Sequence, residues 1–174
     1  MEEIRYQQRI CRDEGRVTEF LTSMRVGTLA LYSEGEPYAV PLNYLWTEGK
    51  LYFHGLASGR KEKILQENPQ ICFNVHKEYG TVKDDMPCHA DTAYFSVTMF
   101  GKAVPVDDAE EKAAAMQAFV EKYMPGYYKK PLTAELMRNY KSGHDGRTVQ
   151  VYKIVPETIT AKENSATKEE LFNK

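Results

Sequence analysis

Leu51-Tyr-Phe-His-Gly-Leu-Ala-Ser-Gly-Arg-Lys61 sets a strand end, an imidazole, two glycines, a hydroxyl and two adjacent cations within eleven residues. Leu51 and Phe53 alternate with Tyr52 and His54 as in a half-buried strand, and Gly55 breaks the run where a backbone turns or is closely approached. Ser58 and Gly59 stand where a helix can begin, with Arg60 and Lys61 in its first turn and the apolar pair Ile64 and Leu65 behind them. Such a helix start offers backbone N–H groups, a hydroxyl and two positive charges to one anion, with phosphate the natural candidate. The alternative is a solvated basic first turn, since Lys and Arg are common on exposed helix faces.

Upstream, Val17, Phe20, Leu21 and Met24 fall at helical spacing within Asp13–Met24, which predicts an amphipathic helix laid on a sheet. The pattern then turns β-rich: Val26 to Tyr32, a turn at Glu34 to Pro37, Tyr38 to Trp46, a Glu48-Gly49 turn, and Lys50 to Gly55. Three strands joined by tight turns predict an antiparallel meander. Pro41 cannot donate to a ladder, so its strand is an edge, is bulged, or leaves backbone groups for something other than a neighbouring strand.

Downstream, a short helix over about Gly59 to Glu67 stops at Asn68-Pro69, because the residue before proline is biased out of the helical region. Gln70 to His76 alternates as a strand, and Lys77 to Thr92 reads as a loop that carries Cys88-His89. Ala93 to Val106 is the longest β-type run, with Gly101 placed for a bend or bulge. Asp108 and Glu111 form a capping box for a helix striped by Met116, Phe119, Val120 and Tyr123. A further helix is expected over Leu132–Tyr140, a last strand over Thr148–Val155, and a mobile polar tail from Asn164 whose Leu171-Phe172 has the means to dock a partner. The expected organisation is one domain over residues 1–163 with a polar tail at 164–174. Six or so antiparallel strands without βαβ alternation predict a mainly β fold, a small closed or partly open barrel with flanking helices.

Composition narrows the function classes. The chain has 174 residues and a formal net charge of −2, with both signs interspersed, so no basic footprint marks nucleic acid or an anionic membrane as a partner. No apolar run approaches the roughly 20 residues that span a bilayer, and the N-terminus is polar where a signal peptide needs an apolar core. Cys11, Cys72 and Cys88 are odd in number and lack the spacing of a zinc or redox pair, which fits a reducing cytoplasm. Adjacent Cys88 and His89 are too close to act as the usual spaced zinc ligands, so no metal site is expected.

Five stretches in order are similar to the pyridoxamine 5′-phosphate oxidase-like flavin proteins: Arg25-Val-Gly-Thr-Leu-Ala; Pro37-Tyr-Ala-Val-Pro-Leu-Asn-Tyr; Leu51-Tyr-Phe-His-Gly with Ser58-Gly-Arg-Lys; Cys72-Phe-Asn-Val; and Tyr94-Phe-Ser-Val with Phe100-Gly-Lys-Ala. Within that superfamily the chain most resembles the Nim-type, 5-nitroimidazole resistance branch. The resemblance runs from the first helix to about Lys162. It implies a six-stranded split β-barrel that works as a homodimer, with FMN bound at the subunit interface. Carried over by position, Val40, Pro41, Leu42, Asn43 and Tyr44 run along the isoalloxazine ring and Phe53, His54 and Gly55 flank it. Ser58, Gly59, Arg60 and Lys61 hold the phosphate, and Ser96 and Val97 match a Tyr-x-Ser-Val signature near the cofactor. The chain departs from many relatives in having Phe95 beside Tyr94 where they carry a second basic residue, and Ala161 where glycine is common.

The activity implied is an FMN-dependent oxidoreductase acting on a small aromatic or nitroaromatic acceptor. His54 is the residue nearest substrate and the candidate proton donor, or else a histidine that only hydrogen-bonds within the barrel or to the ring. NAD(P)H is a candidate electron donor, although no glycine-rich fingerprint follows a strand. The competing readings are a non-catalytic flavin-binding module and a haem-binding barrel with His54, His76 or His89 as axial ligand.

Overall fold

A computed structural model describes residues 4–144 and 146–172. Helix α1 (Glu14–Ser23) begins at Asp13, whose carboxylate accepts from the Arg16 N–H at 3.0 Å, and it buries Phe20 and Leu21, as its spacing predicts. Strands β1 (Val26–Ser33) and β2 (Glu36–Asn43) form a hairpin, as do β3 (Leu45–Thr47) and β4 (Lys50–Leu56). Both hairpins close through two-residue turns with two positive φ angles, 52° and 83° at Glu34-Gly35 and 50° and 71° at Glu48-Gly49. Turns of this kind match the right-handed twist of the strands they join. Helix α2 (Arg60–Glu67), β5 (Gln70–Val82), β6 (Asp91–Pro105), α3 (Ala109–Tyr123), α4 (Ala134–Arg138) and β7 (Val149–Asn164) complete the chain.

All seven strands belong to one antiparallel sheet in the order β2-β1-β5-β6-β7-β4-β3. Its two edge strands, β2 and β3, are separated in sequence only by Tyr44. A seven-stranded sheet whose first and last strands are one residue apart must curl round, so the sheet is a barrel closed at Tyr44 and split elsewhere. The expected continuous strand Tyr38–Trp46 is therefore two strands on opposite edges, and the expected meander is two separate hairpins. The strand count is seven where six were expected, because this division adds one.

Tyr44 makes the division possible. Its N–H donates to the Tyr123 hydroxyl oxygen at 3.1 Å, and that hydroxyl lies 2.8 Å from the Tyr44 carbonyl and 2.5 Å from the Arg25 carbonyl. The Tyr44 phenol donates to the Leu21 carbonyl at 2.7 Å. A residue that leaves the ladder inside the protein needs other partners for its backbone, and Tyr123 supplies them from α3.

The long strands outrun their predicted ends. β5 continues to Val82 with a bulge between Glu78 and Gly80, and β7 runs to Asn164, so the loop expected at Lys77–Thr92 shrinks to residues 83–90. These extensions are exposed on both faces or mixed, so no alternation of buried residues marks them. The bulge expected at Gly101 is present, between Phe100 and Gly101 where β6 meets β7. The segment expected to be a mobile tail, whose last two residues lie outside the described ones, is tied to its own chain at Leu171 and Phe172. Leu171 bridges Val82 and packs by Gly80, and the Phe172 N–H donates to the Thr81 carbonyl at 2.9 Å.

Two apolar clusters fill the molecule. Leu29, Leu51, Phe53, Phe73, Val97 and Ile154 are among the residues that fill the barrel, while Leu45, Tyr52, Met116, Phe119 and Val151 join the sheet to α3 and α4. Each fully buried side chain of this size contributes about 1.5–3 kcal/mol. The capping box at α3 is half formed: Asp108 accepts from the Glu111 N–H at 2.7 Å, but the Glu111 carboxylate turns to Lys153 at 2.7 Å and to the Tyr52 hydroxyl at 2.9 Å. Among the described residues no helix is long and apolar enough to cross a membrane.

Candidate functional site

The split lies between β2 and the second half of β4. β3 pairs only with Lys50, Leu51 and Tyr52, so Phe53 to Leu56 have β7 on one side and no strand on the other. β2 is likewise unpaired along its outer side, where Pro41 costs the ladder nothing. Val40 and Leu42 turn toward the core, and Pro41 and Asn43 are exposed on the opposite face.

At one end of the split stands the start of α2. Gly59 is its N-cap with φ 99°, and no side chain caps the first N–H groups. The preceding turn is fixed by the Ala57 N–H donating to the Thr148 carbonyl at 2.9 Å, and Arg147 donates to the Ser58 hydroxyl at 3.4 Å. Arg60 crosses the split to pair with Glu36 at 2.7 Å and lies 4.8 Å over the Tyr38 ring. The Lys61 ammonium folds back over β4, 5.2 Å from the Phe53 ring centre. A Cβ on Gly55 would lie 2.3 Å from that ammonium, so glycine at 55 is what lets the charge settle against the strand. Burial lowers the Lys61 pKa and neighbouring Glu62 opposes the shift. Of the predicted anion-site residues, Arg60 thus reaches across to β2 and Lys61 back to β4, while Arg147 comes to Ser58 beside the Gly59 N-cap. Arg147 sits in an aperiodic connector that gave no signal in the sequence.

Toward Tyr44, Asn43 and His54 line one cavity of about 510 Å³ that α3, α4 and their connector wall off with Phe119, Tyr123 and Met137. His54 meets the Phe119 ring edge-on, with centroids 4.9 Å apart and planes at 85°. Its Nδ1 is buried without a hydrogen-bond partner. Burial, and then the nearby Lys61 charge, lower its pKa, so the ring is neutral at physiological pH. The α3 wall, read from sequence only as a core stripe, is the part of the site that residue patterns missed.

Other predicted residues lie elsewhere. Tyr44, Phe53 and Val97 are core side chains with no exposed surface, because strand alternation and the Tyr44 crossover point them into the barrel. Ser96 is on the outer face of β6, where its hydroxyl accepts from the Asn74 amide at 3.3 Å. Since β5 and β1 separate β6 from β2, and β7 separates it from β4, Ser96 and Val97 are not brought to the split within this chain. His76 is exposed beside Asn74, and His89 is exposed 3.6 Å from Asp84. Among the described residues no group of three or more His, Cys, Asp or Glu is placed to hold a metal ion, and all three cysteines are free.

An antiparallel barrel split between two strand edges, with a basic helix start at one end of the split and an aromatic cavity at the other, defines a split-barrel protein. The chain belongs to the pyridoxamine 5′-phosphate oxidase family, whose profile matches residues 13–163. Among solved structures it is similar to a candidate 5-nitroimidazole antibiotic resistance protein from Bacteroides thetaiotaomicron, with 23% identity, a TM-score of 0.68, and coverage of 88% of this chain and 85% of that one. It is also similar to the flavocytochrome Anf3 from Azotobacter vinelandii (21% identity, TM-score 0.79, 97% and 77% covered). The FAD and haem binding protein from Mycobacterium smegmatis is a third (17%, 0.72, 93% and 78%). At these identities the likeness is one of fold. No protein of curated function matches the chain in sequence.

Proposed function

We propose that the chain is an FMN-dependent oxidoreductase that reduces a small aromatic or nitroaromatic acceptor at flavins held in a homodimer. The observation that carries this reading is the start of α2, where uncapped N–H groups and the Ser58 hydroxyl, with Arg147 beside it, are flanked by Arg60 and Lys61 of the first turn at the end of the split. That arrangement suits a phosphate monoester. Two further features fit a flat heterocycle beside it: the unpaired outer side of β2 at Val40 to Asn43, and the partnerless Nδ1 of His54. Family membership and the flavin-binding names of two similar structures support the same reading.

When bound, FMN supplies the electron transfer. The protein's share is to anchor the phosphate at Ser58 to Lys61, to offer backbone groups of β2 to the ring, and to shield the acceptor beneath α3. His54 holds a proton at one ring nitrogen, and its supply grows on acidification because burial keeps the imidazolium scarce at neutral pH. For self-association the candidate surface is the outer face of β6 and β7, where Phe100, Val104 and Val155 leave apolar side chains exposed and close in register. NAD(P)H is the proposed donor class.

The test is the visible spectrum of the purified protein, with the released chromophore identified by mass and the subunit count by sedimentation. FMN equimolar with a dimeric chain is the expected result; a colourless protein that takes up no added FMN sinks the proposal. A haem-binding barrel is the second reading, favoured by the haem named in one similar structure and by the partnerless ring nitrogen of His54. A Soret band in place of a flavin spectrum would select it.

A further inference from the structure

The cavity beneath α3 and α4 has a composition that names its ligand more narrowly than "aromatic". Phe119 and Tyr123, one helical turn apart, both line it and stack on each other, with rings 16° from parallel and centroids 5.9 Å apart. His54 stands edge-on to Phe119, and Asn43 sits at the end of β2. Two cations, Arg25 and Lys130, line the same cavity, and its lining includes no carboxylate. Among the described residues neither cation makes an ion pair. The Arg25 guanidinium instead lies 4.5 Å over the Tyr123 ring, an aromatic contact that uses none of its N–H donors. Lys122 adds a further positive charge close by, and burial, followed by the field of Arg25, lowers its pKa to about 8. The phenols of Tyr128 and Tyr140 also line the cavity, and Gln117 is already used: its side chain accepts from the Leu132 N–H at 2.9 Å and donates to Glu121 at 3.0 Å.

We infer that this cavity takes a small aromatic carboxylate, its ring among the aromatic side chains of the lining and its carboxylate on Arg25, with Lys130 as the second charge. The inference deepens the proposed function, since it names the acceptor class, and in that role it rests on that reading. Apolar walls with a few convergent polar groups, in a volume of this size, suit one drug-sized ligand or smaller. A planar guanidinium matches a carboxylate in two parallel hydrogen bonds, a geometry that an uncharged amide of the same shape cannot reproduce.

The test is calorimetric titration of the full chain, as purified, with cinnamate and with its neutral isostere cinnamamide. Cinnamate is expected to bind about tenfold more tightly than cinnamamide, the usual weight of a charge-assisted pair. Arg25→Gln is expected to remove most of the preference, and Lys130→Gln a smaller part of it. Arg25→Lys, which keeps the charge and loses the fork, guards against a misfolded Arg25→Gln; an intermediate preference is expected. Equal affinities in the wild type, no binding of either ligand at millimolar concentration, or an undiminished preference in the folded Arg25 variants would overturn the inference. Flavin content is read from the absorbance of the same samples. Flavin-loaded protein without the preference overturns this inference alone, and an Arg25-dependent preference in protein that takes up no flavin overturns the proposed function alone.

Discussion

The two edges of the sheet meet twice, in opposite ways. At Tyr44 they are joined by the chain itself, with the residue wholly buried and its backbone N–H and C=O served by one phenol from α3. At the start of α2 the open side of the split is bridged by Arg60, which pairs with Glu36 of β2, the side chains remaining 54% and 74% exposed, and lies over the Tyr38 ring. The first contact leaves buried polar groups that would be costly to strand, and the second could be broken at almost no cost. The comparison teaches where the barrel can admit a ligand: it is pinned at one end and only latched at the other, and the latch carries the cations.

The largest expected effect breaks the open end. Replacing Arg60 and Lys61 together by Ala is expected to weaken FMN binding by about 100-fold, the sum of two charge-assisted contacts, with the fold retained by circular dichroism. Flavin titration checks this, and unchanged occupancy would remove the phosphate from this end. Next comes the closed end. Tyr123→Phe strands the Tyr44 N–H and C=O and is expected to cost about 2 kcal/mol, a melting temperature lower by about 4–8 °C for a domain of this size. A denaturant midpoint equal to that of the wild type would mean that Tyr44 finds other partners.

How much of this was legible in the sequence divides along the same line. The open end could be read because its signals are local: Gly55, then Ser58-Gly59 before two cations, then an apolar pair at helical spacing, all within one short stretch. The closed end could not. Tyr38–Trp46 is continuously β-like, and nothing in its pattern says that Tyr44 leaves the ladder, because the reason lies 79 residues away in the Tyr123 hydroxyl. For the same reason Met116, Phe119 and Tyr123 looked like an ordinary core stripe. The stripe does bury Met116 and Phe119, and it also walls the cavity, a second role that becomes visible only once the strands are placed beneath it. Arg25, quoted as the first residue of a motif, drew no functional reading because its partner surface is Tyr123.

His54 lies between the two ends and sharpens the contrast. His54→Gln is expected to keep the flavin and to slow acceptor reduction about tenfold or more at acidic pH, as loss of a general acid does. The sign follows from the lowered pKa. The protonated fraction grows only as pH falls below the usual imidazole range, so the wild-type rate rises on acidification and the variant's does not. Equal rates and equal pH profiles would make His54 structural.

The closed end is secure without being optimal. Lys122 holds its ammonium 4.5 Å over the Tyr44 ring, buried and without a hydrogen-bond partner, and burial followed by Arg25 lowers its pKa to about 8. Between pH 8 and the ordinary lysine value the unfolded chain holds the proton that the folded one has released, so stability contributed by this site rises with pH across that window. Lys122→Met is accordingly expected to stabilise the protein at neutral pH by about 1 kcal/mol, a gain of about 2–4 °C that fades as pH is raised toward 10. Thermal melts at several pH values check it; destabilisation at neutral pH would show that attraction to the Tyr44 ring outweighs the cost of burial.

The smallest effect is on the latch itself. An exposed pair such as Arg60–Glu36 contributes at most about 0.5 kcal/mol, so Glu36→Ala is expected to leave the melting temperature essentially unmoved. Its consequence lies in binding. Glu36 competes with a phosphate for the same guanidinium, so its removal frees Arg60 and is expected to tighten FMN binding by roughly 2-fold at low ionic strength, with the gain screened away in high salt. Flavin titrations at two salt concentrations measure this. Weaker binding in Glu36→Ala would invert the comparison. The ion pair would then act as a clamp closed over the bound phosphate, and the end described as open would be the end that shuts.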